Sequence, residues 1–115
     1  MGHRQPRAAA MVVAVTAAAA LCAPARAADD AALLALGKKL FTQVNPPCAL
    51  CHTLQDAGAA GSVGPVLDEL RPDAERVGKA LREGIGAMPS YEEKLTDEEI
   101  RALALYVAKA SGAAP

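Results

Sequence analysis

Apolar side chains recur at helical spacing in three stretches of this chain. In the first, Leu33, Gly37, Leu40 and Phe41 share one face. That spacing predicts a helix over roughly 30–43, capped by Asp29 or Asp30 and ended by Asn45, Pro46 and Pro47. In the second, Ala74, Val77 and Leu81 form a stripe over roughly 72–83, opened by Pro72 and terminated by Gly84. In the third, Ile100, Leu103, Ala104 and Val107 line one face, with Tyr106 beside them, over roughly 97–111. Thr96 and Glu99 form a capping box for this helix, and Leu95 is placed to staple onto Ile100. The glycine-rich stretch "DAGAAGSVGPVLDEL" between the first two helices has no period and reads as loop. No strand pattern and no internal repeat is legible, so the expected fold class is all-α, in one domain.

A fourth apolar run breaks the amphipathic pattern. Residues 8–23, "AAAMVVAVTAAAALCA", are apolar all round, follow His3, Arg4 and Arg7, and lead into "APARA". A positive start, an apolar middle and an A-x-A end at Ala25 and Ala27 make a secretory signal peptide, too short for the roughly 20 residues of a membrane span. The expected division is residues 1–27 as leader and 28–115 as the working domain, periplasmic and with no membrane span after cleavage. Removing the first 27 of 115 residues leaves 88. Three arginines leave with the leader, so Lys plus Arg falls from 12 to nine against 13 Asp plus Glu, a net charge of −4. An acidic surface argues against nucleic acid and anionic membrane as partners.

Cleavage also leaves two cysteines and one histidine, all in "PPCALCHTL": Cys48, Cys51 and His52. A structural zinc site wants four ligands and this cluster supplies three. A redox disulfide of the C-x-x-C type belongs beside a βαβ pattern, and none is present. C-x-x-C-H is the attachment signature of haem c. On a helical turn, residues three apart share a face, so Cys48 and Cys51 can form thioethers along one haem edge. His52 follows at once and can offer Nε2 to the iron. A domain of 88 residues with Phe41, Tyr91 and Tyr106 as its aromatics has a thin core, which one covalent haem would fill.

Met88 is the methionine that remains after cleavage, in the loop "GAMPS". It is the candidate sixth ligand; the alternatives are a methionine that fills a gap in the core, an open iron, Lys79, or an exogenous ligand. Tyr91 follows the same loop, placed either to reach a haem propionate or to stand as a surface tyrosine. Glu92, Glu93, Asp97, Glu98 and Glu99 cluster around Lys94. They read as a solvated helix start, where carboxylates favour the positive end of the dipole, or as a docking patch for a basic partner.

The ordered set "GKKLF", "CALCH", "VGPVL", "GIGAMPSY" and "LALYVAKAS" resembles the class I c-type cytochromes. The resemblance implies a small cytochrome c fold, three main helices around one covalent haem c per chain, with His52 and Met88 as axial ligands. It also implies that the Pro65 carbonyl accepts a hydrogen bond from His52 Nδ1, and that the first and last helices cross closely where Gly37 makes room for Tyr106. With both axial positions filled, no catalytic site is expected in the chain itself. The run from "CALCHTLQDAG" to "GIGAMPSY" is similar to the small haem subunits of bacterial sulfite dehydrogenases. That similarity implies a molybdenum-containing sulfite-oxidising subunit as electron donor and a downstream cytochrome or oxidase as acceptor. A periplasmic cytochrome c shuttle to an oxidase or reductase is the alternative, and a catalytic haem protein with an open distal site is a third.

Overall fold

The computed structural model describes residues 1–3 and 25–114. Most of the expected leader therefore lies outside the described residues. The chain folds as α1 (Ala25–Gln43), α2 (Cys48–Cys51), β1 (Thr53–Leu54), a 3-10 turn (Gln55–Ala57), β2 (Ala59–Ala60), α3 (Leu67–Leu70), α4 (Ala74–Glu83) and α5 (Asp97–Ser111).

The three amphipathic stretches are α1, α4 and α5. The last has the bounds its pattern predicts: Thr96 Oγ1 accepts from the Glu99 amide at 3.2 Å, and Glu99 accepts from the Thr96 amide at 2.8 Å. The first two differ at their starts. For α4 the cap is Asp73, whose carboxylate accepts from the Arg76 amide at 2.8 Å, which leaves Pro72 outside the helix. A carboxylate that reaches a free amide two or three residues on is a stronger start than a proline, which only tolerates the position. For α1 the described helix spans Ala25–Gln43, so Asp29 and Asp30 lie within it and do not cap it. Ala25, Ala27 and Ala28 ahead of them are strong helix formers.

The core lies where α1 crosses α5. Phe41, Leu54, Ile100 and Leu103 are fully enclosed, and Phe41 meets Tyr106 edge to face with ring centroids 6.1 Å apart. A Cβ on Gly37 would stand 2.5 Å from Tyr106 Cβ and overlap the Ala102 carbonyl. Glycine is therefore what allows the two helices to touch, as the resemblance implies.

The glycine-rich connection is not plain loop. Thr53–Leu54 and Ala59–Ala60 pair antiparallel, with Thr53 opposite Ala60, around the 3-10 turn. Two-residue strands lie below the length at which alternation can be read, so the pattern could not announce them. Asp56, in that turn, accepts from the Tyr106 hydroxyl at 2.7 Å and pairs with Lys38 at 3.2 Å, which ties the turn to α1 and α5. Among the described residues no helix is long and apolar enough to cross a membrane.

Candidate functional site

Pro46 and Pro47 end the run out of α1, and Cys48–Cys51 then makes a single helical turn. His52 leaves that turn in extended conformation (φ −112°, ψ 141°), while its amide still donates to the Cys48 carbonyl at 2.9 Å. The two thiols thus share a face and the imidazole departs from it.

The imidazole is held by the segment 61–65. His52 Nδ1 lies 2.8 Å from the Pro65 carbonyl oxygen. A carbonyl only accepts, so Nδ1 carries the proton and the lone pair is left on Nε2. Gly64 lies against the ring: a Cβ there would stand 2.5 Å from the carbon between the ring nitrogens. Its amide donates to the Cys51 carbonyl at 2.7 Å, and the Gly61 amide donates to the His52 carbonyl at 3.3 Å. The bond to Pro65 was legible by resemblance. The cradle at Gly61 and Gly64 was not, although three glycines spaced three apart (58, 61 and 64) were its signal.

Beside these groups opens a cavity of about 530 Å³. Cys48, Cys51, His52, Pro65, Met88 and Tyr91 all line it. Phe41, Leu67, Leu81, Leu103 and Val107 also contribute to its lining. The structure therefore brings together every candidate site residue, from segments separated widely along the chain. Met88 is half-buried on the edge of the core, in the turn where Ile85 and Met88 exchange backbone hydrogen bonds of 3.0 and 2.9 Å.

Tyr91 is not a surface tyrosine. It is 3% exposed, and its hydroxyl donates to the Pro46 carbonyl at 2.7 Å. Burial pushes the phenol up to about 12, so it remains a donor at any ordinary pH. The acidic cluster is also less bare than its sequence reads. Arg82 reaches across from α4 to Asp97 at 2.7 Å and to Glu92 at 3.6 Å, and Glu99 is spent in the capping box.

Cys48 and Cys51 are not joined to each other in a disulfide, and burial pushes the Cys48 thiol up to about 11. A redox-active C-x-x-C pair needs an easily formed thiolate, which this environment disfavours. Nor do the donors converge on a point: among the described residues no three His, Cys, Asp or Glu side chains are grouped to hold an ion. Two thiols on one face, an imidazole of set tautomer and a thioether sulfur around one apolar cavity suit a flat, apolar, iron-bearing ring. The residues present fit haem c.

A mostly helical scaffold with a C-x-x-C-H turn at the mouth of an apolar cavity defines the c-type cytochromes, and this chain belongs to them. The family described as "Cytochrome C oxidase, cbb3-type, subunit III" matches residues 32–107. Cytochrome c6 of Bryopsis maxima is 35% identical over 86 residues, 66% of this chain and 90% of that protein. Chloroplastic cytochrome c6 of Chlamydomonas reinhardtii is 37% identical over 107 residues, 84% of this chain and 67% of that protein. Among solved structures, the c-type cytochrome SorU from Sinorhizobium meliloti is 58% identical with a TM-score of 0.69, covering 72% of this chain and 95% of that one. The chain is an electron-transfer c-type cytochrome with covalently bound haem c.

Proposed function

We propose that this chain is a periplasmic carrier with His/Met-ligated haem c, which takes electrons singly from a molybdenum-containing sulfite-oxidising subunit and passes them to a downstream cytochrome or oxidase. In this reading Cys48 and Cys51 carry the thioethers and His52 and Met88 supply the axial ligands. The observation that carries it is that His52, its tautomer set by Pro65, and Met88 line the same cavity. Bound haem c supplies a one-electron ferric–ferrous couple, and a methionine ligand raises its potential.

The chain's own residues do the rest. Pro65 orients the imidazole and strengthens it as a ligand. The apolar walls keep water from the ring. At the mouth of the cavity Val63 and Ile85 stand 74% and 70% exposed. They form an apolar rim against which a partner can seat without desolvating charge. With Arg82 compensating part of the acidic cluster, that rim is the better docking element.

The sulfite-oxidising partner is supported by the likeness of the run 48–91 to the haem subunits of sulfite dehydrogenases. Export is supported by the leader pattern in residues 1–27, which predicts a mature chain beginning at Ala28. Two measurements test the proposal. Mixing a molybdenum sulfite-oxidising enzyme from the same organism with sulfite and the oxidised protein should reduce the haem. Failure there, alongside rapid reduction by another donor, would turn the assignment to a shuttle serving an oxidase or reductase. Met88→Ala should keep the haem attached, lose the methionine–iron charge-transfer band and lower the potential. An unchanged spectrum would remove Met88 from the iron.

A further inference from the structure

The loop that carries Met88 is held at both ends by its own backbone. At its start Gly84 has φ +70°, and a Cβ there would lie 2.8 Å from the Met88 carbonyl oxygen, so a side chain would prevent the turn. At its end the Tyr91 amide donates to the Leu81 carbonyl at 2.7 Å. These bonds stay within residues 81–91 and say nothing of the other wall of the cavity.

Two side-chain bonds do cross over. The Tyr91 hydroxyl donates to the Pro46 carbonyl at 2.7 Å, two residues before Cys48. The Lys94 ammonium donates to the Asn45 carbonyl at 3.1 Å and stands 5.8 Å from the centre of the Tyr91 ring. Both acceptors belong to the segment that leads into Cys48 and His52.

We propose that Tyr91 is a positioning residue for Met88: its hydroxyl ties the methionine loop to the segment that delivers Cys48 and His52, and so sets how readily Met88 gives up its place on the iron. The proposal rests on the reading of His52 and Met88 as the axial pair. An outside ligand reaches the sixth position only when the loop from Gly84 to Tyr91 swings away. While the Tyr91–Pro46 bond holds, the end of the loop cannot follow, and opening must break a part-buried hydrogen bond and leave a carbonyl without its donor. Phenylalanine would keep the same place in the apolar core and remove only the tie. Lys94 acts in the same direction but from an exposed position, where water competes for its bond.

The test is titration of the oxidised holoprotein with imidazole, followed through loss of the methionine–iron charge-transfer band, in wild type, Tyr91→Phe, Lys94→Ala and Tyr106→Phe. Tyr91→Phe should show the band before imidazole is added and bind imidazole about three- to tenfold more tightly, the effect of one lost hydrogen bond. Lys94→Ala should shift the affinity in the same direction by a smaller factor. Tyr106→Phe removes an equally buried hydroxyl, bonded to Asp56 away from the loop, and should leave the affinity unchanged. Equal affinities in wild type and Tyr91→Phe would overturn the proposal. So would an equal gain in Tyr106→Phe, which would report general softening of the fold. If Tyr91→Phe gives no holoprotein, Lys94→Ala decides: an unchanged affinity overturns the tie. Absence of the band from wild type, seen before any titration, would overturn the axial reading and the proposal with it.

Discussion

Where α1 crosses α5, Gly37 lies against the Ala102 carbonyl, Phe41 meets the edge of Tyr106, and no room is left for a methyl group. Beside it, Leu81, Leu103 and Val107, with Phe41 itself, line a cavity of about 530 Å³ that two thiols and an imidazole also border. The crossing is complete as the chain makes it. The cavity is complete only with a bound group, and its loops are held by hydrogen bonds, backbone ones at Gly64 and Ile85 and the side-chain ones of Tyr91 and Lys94. One half of the protein supplies rigidity; the other leaves a shaped opening whose apolar walls are stabilised when haem covers them.

The largest expected break in this contrast comes from the open half. Cys48→Ala with Cys51→Ala should abolish covalent haem, and the chain should lose its compact fold, because the cavity walls are then left to water. Haem staining after denaturing electrophoresis, with protease sensitivity of the purified chain, checks both parts. Retention of covalent haem would refute the attachment assignment.

A smaller effect is expected in the closed half. Gly37→Val would drive two methyl groups into Ala102 and Tyr106, and should destabilise the holoprotein by about 3 kcal/mol, the upper range for overpacking a rigid contact. Urea unfolding measures the loss. The methionine–iron band should survive in the folded fraction, since the crossing touches no axial ligand. A variant that loses the band while still folded would show that the two halves are coupled more tightly than their contacts suggest.

The smallest effect sits between the halves. The Tyr106 hydroxyl, and after it the Lys38 ammonium, hold the Asp56 carboxyl below its ordinary range. A depressed carboxyl contributes stability that is present above its unfolded value and is lost as pH falls through its folded one. Asp56→Asn should therefore melt slightly below wild type at pH 7, with the gap closing as pH drops below about 4. Because Asp56 is exposed, solvent screens much of the interaction and the gap will be small. Melting temperatures from pH 3 to pH 8 test the sign. A gap that widens in acid would contradict it.

Legibility in the sequence followed range along the chain. The capping box at Thr96 and Glu99, the apolar stripe of α5 and the turn Cys48–Cys51 are each made by residues three or four apart, and each is found where it was expected. Asp29 and Asp30 were misleading as caps for α1 because good helix formers precede them. Tyr91 was ambiguous because its acceptor is 45 residues away, and the acidic cluster looked bare because Arg82 approaches it from another helix.

By itself, then, the sequence determined the three amphipathic helices and the C-x-x-C-H motif, and marked Met88 as the candidate sixth ligand, because periodicity, caps and a covalent motif are local chemistry. Only the tertiary structure decided how the cleft is held: the glycine cradle under His52, the Tyr91 tie to Pro46, and the bond from Tyr106 to Asp56, which spans 50 residues. The physical reason is that a hydrogen bond between distant residues depends on where whole elements pack. Neither partner carries a mark of the other in its neighbours along the chain.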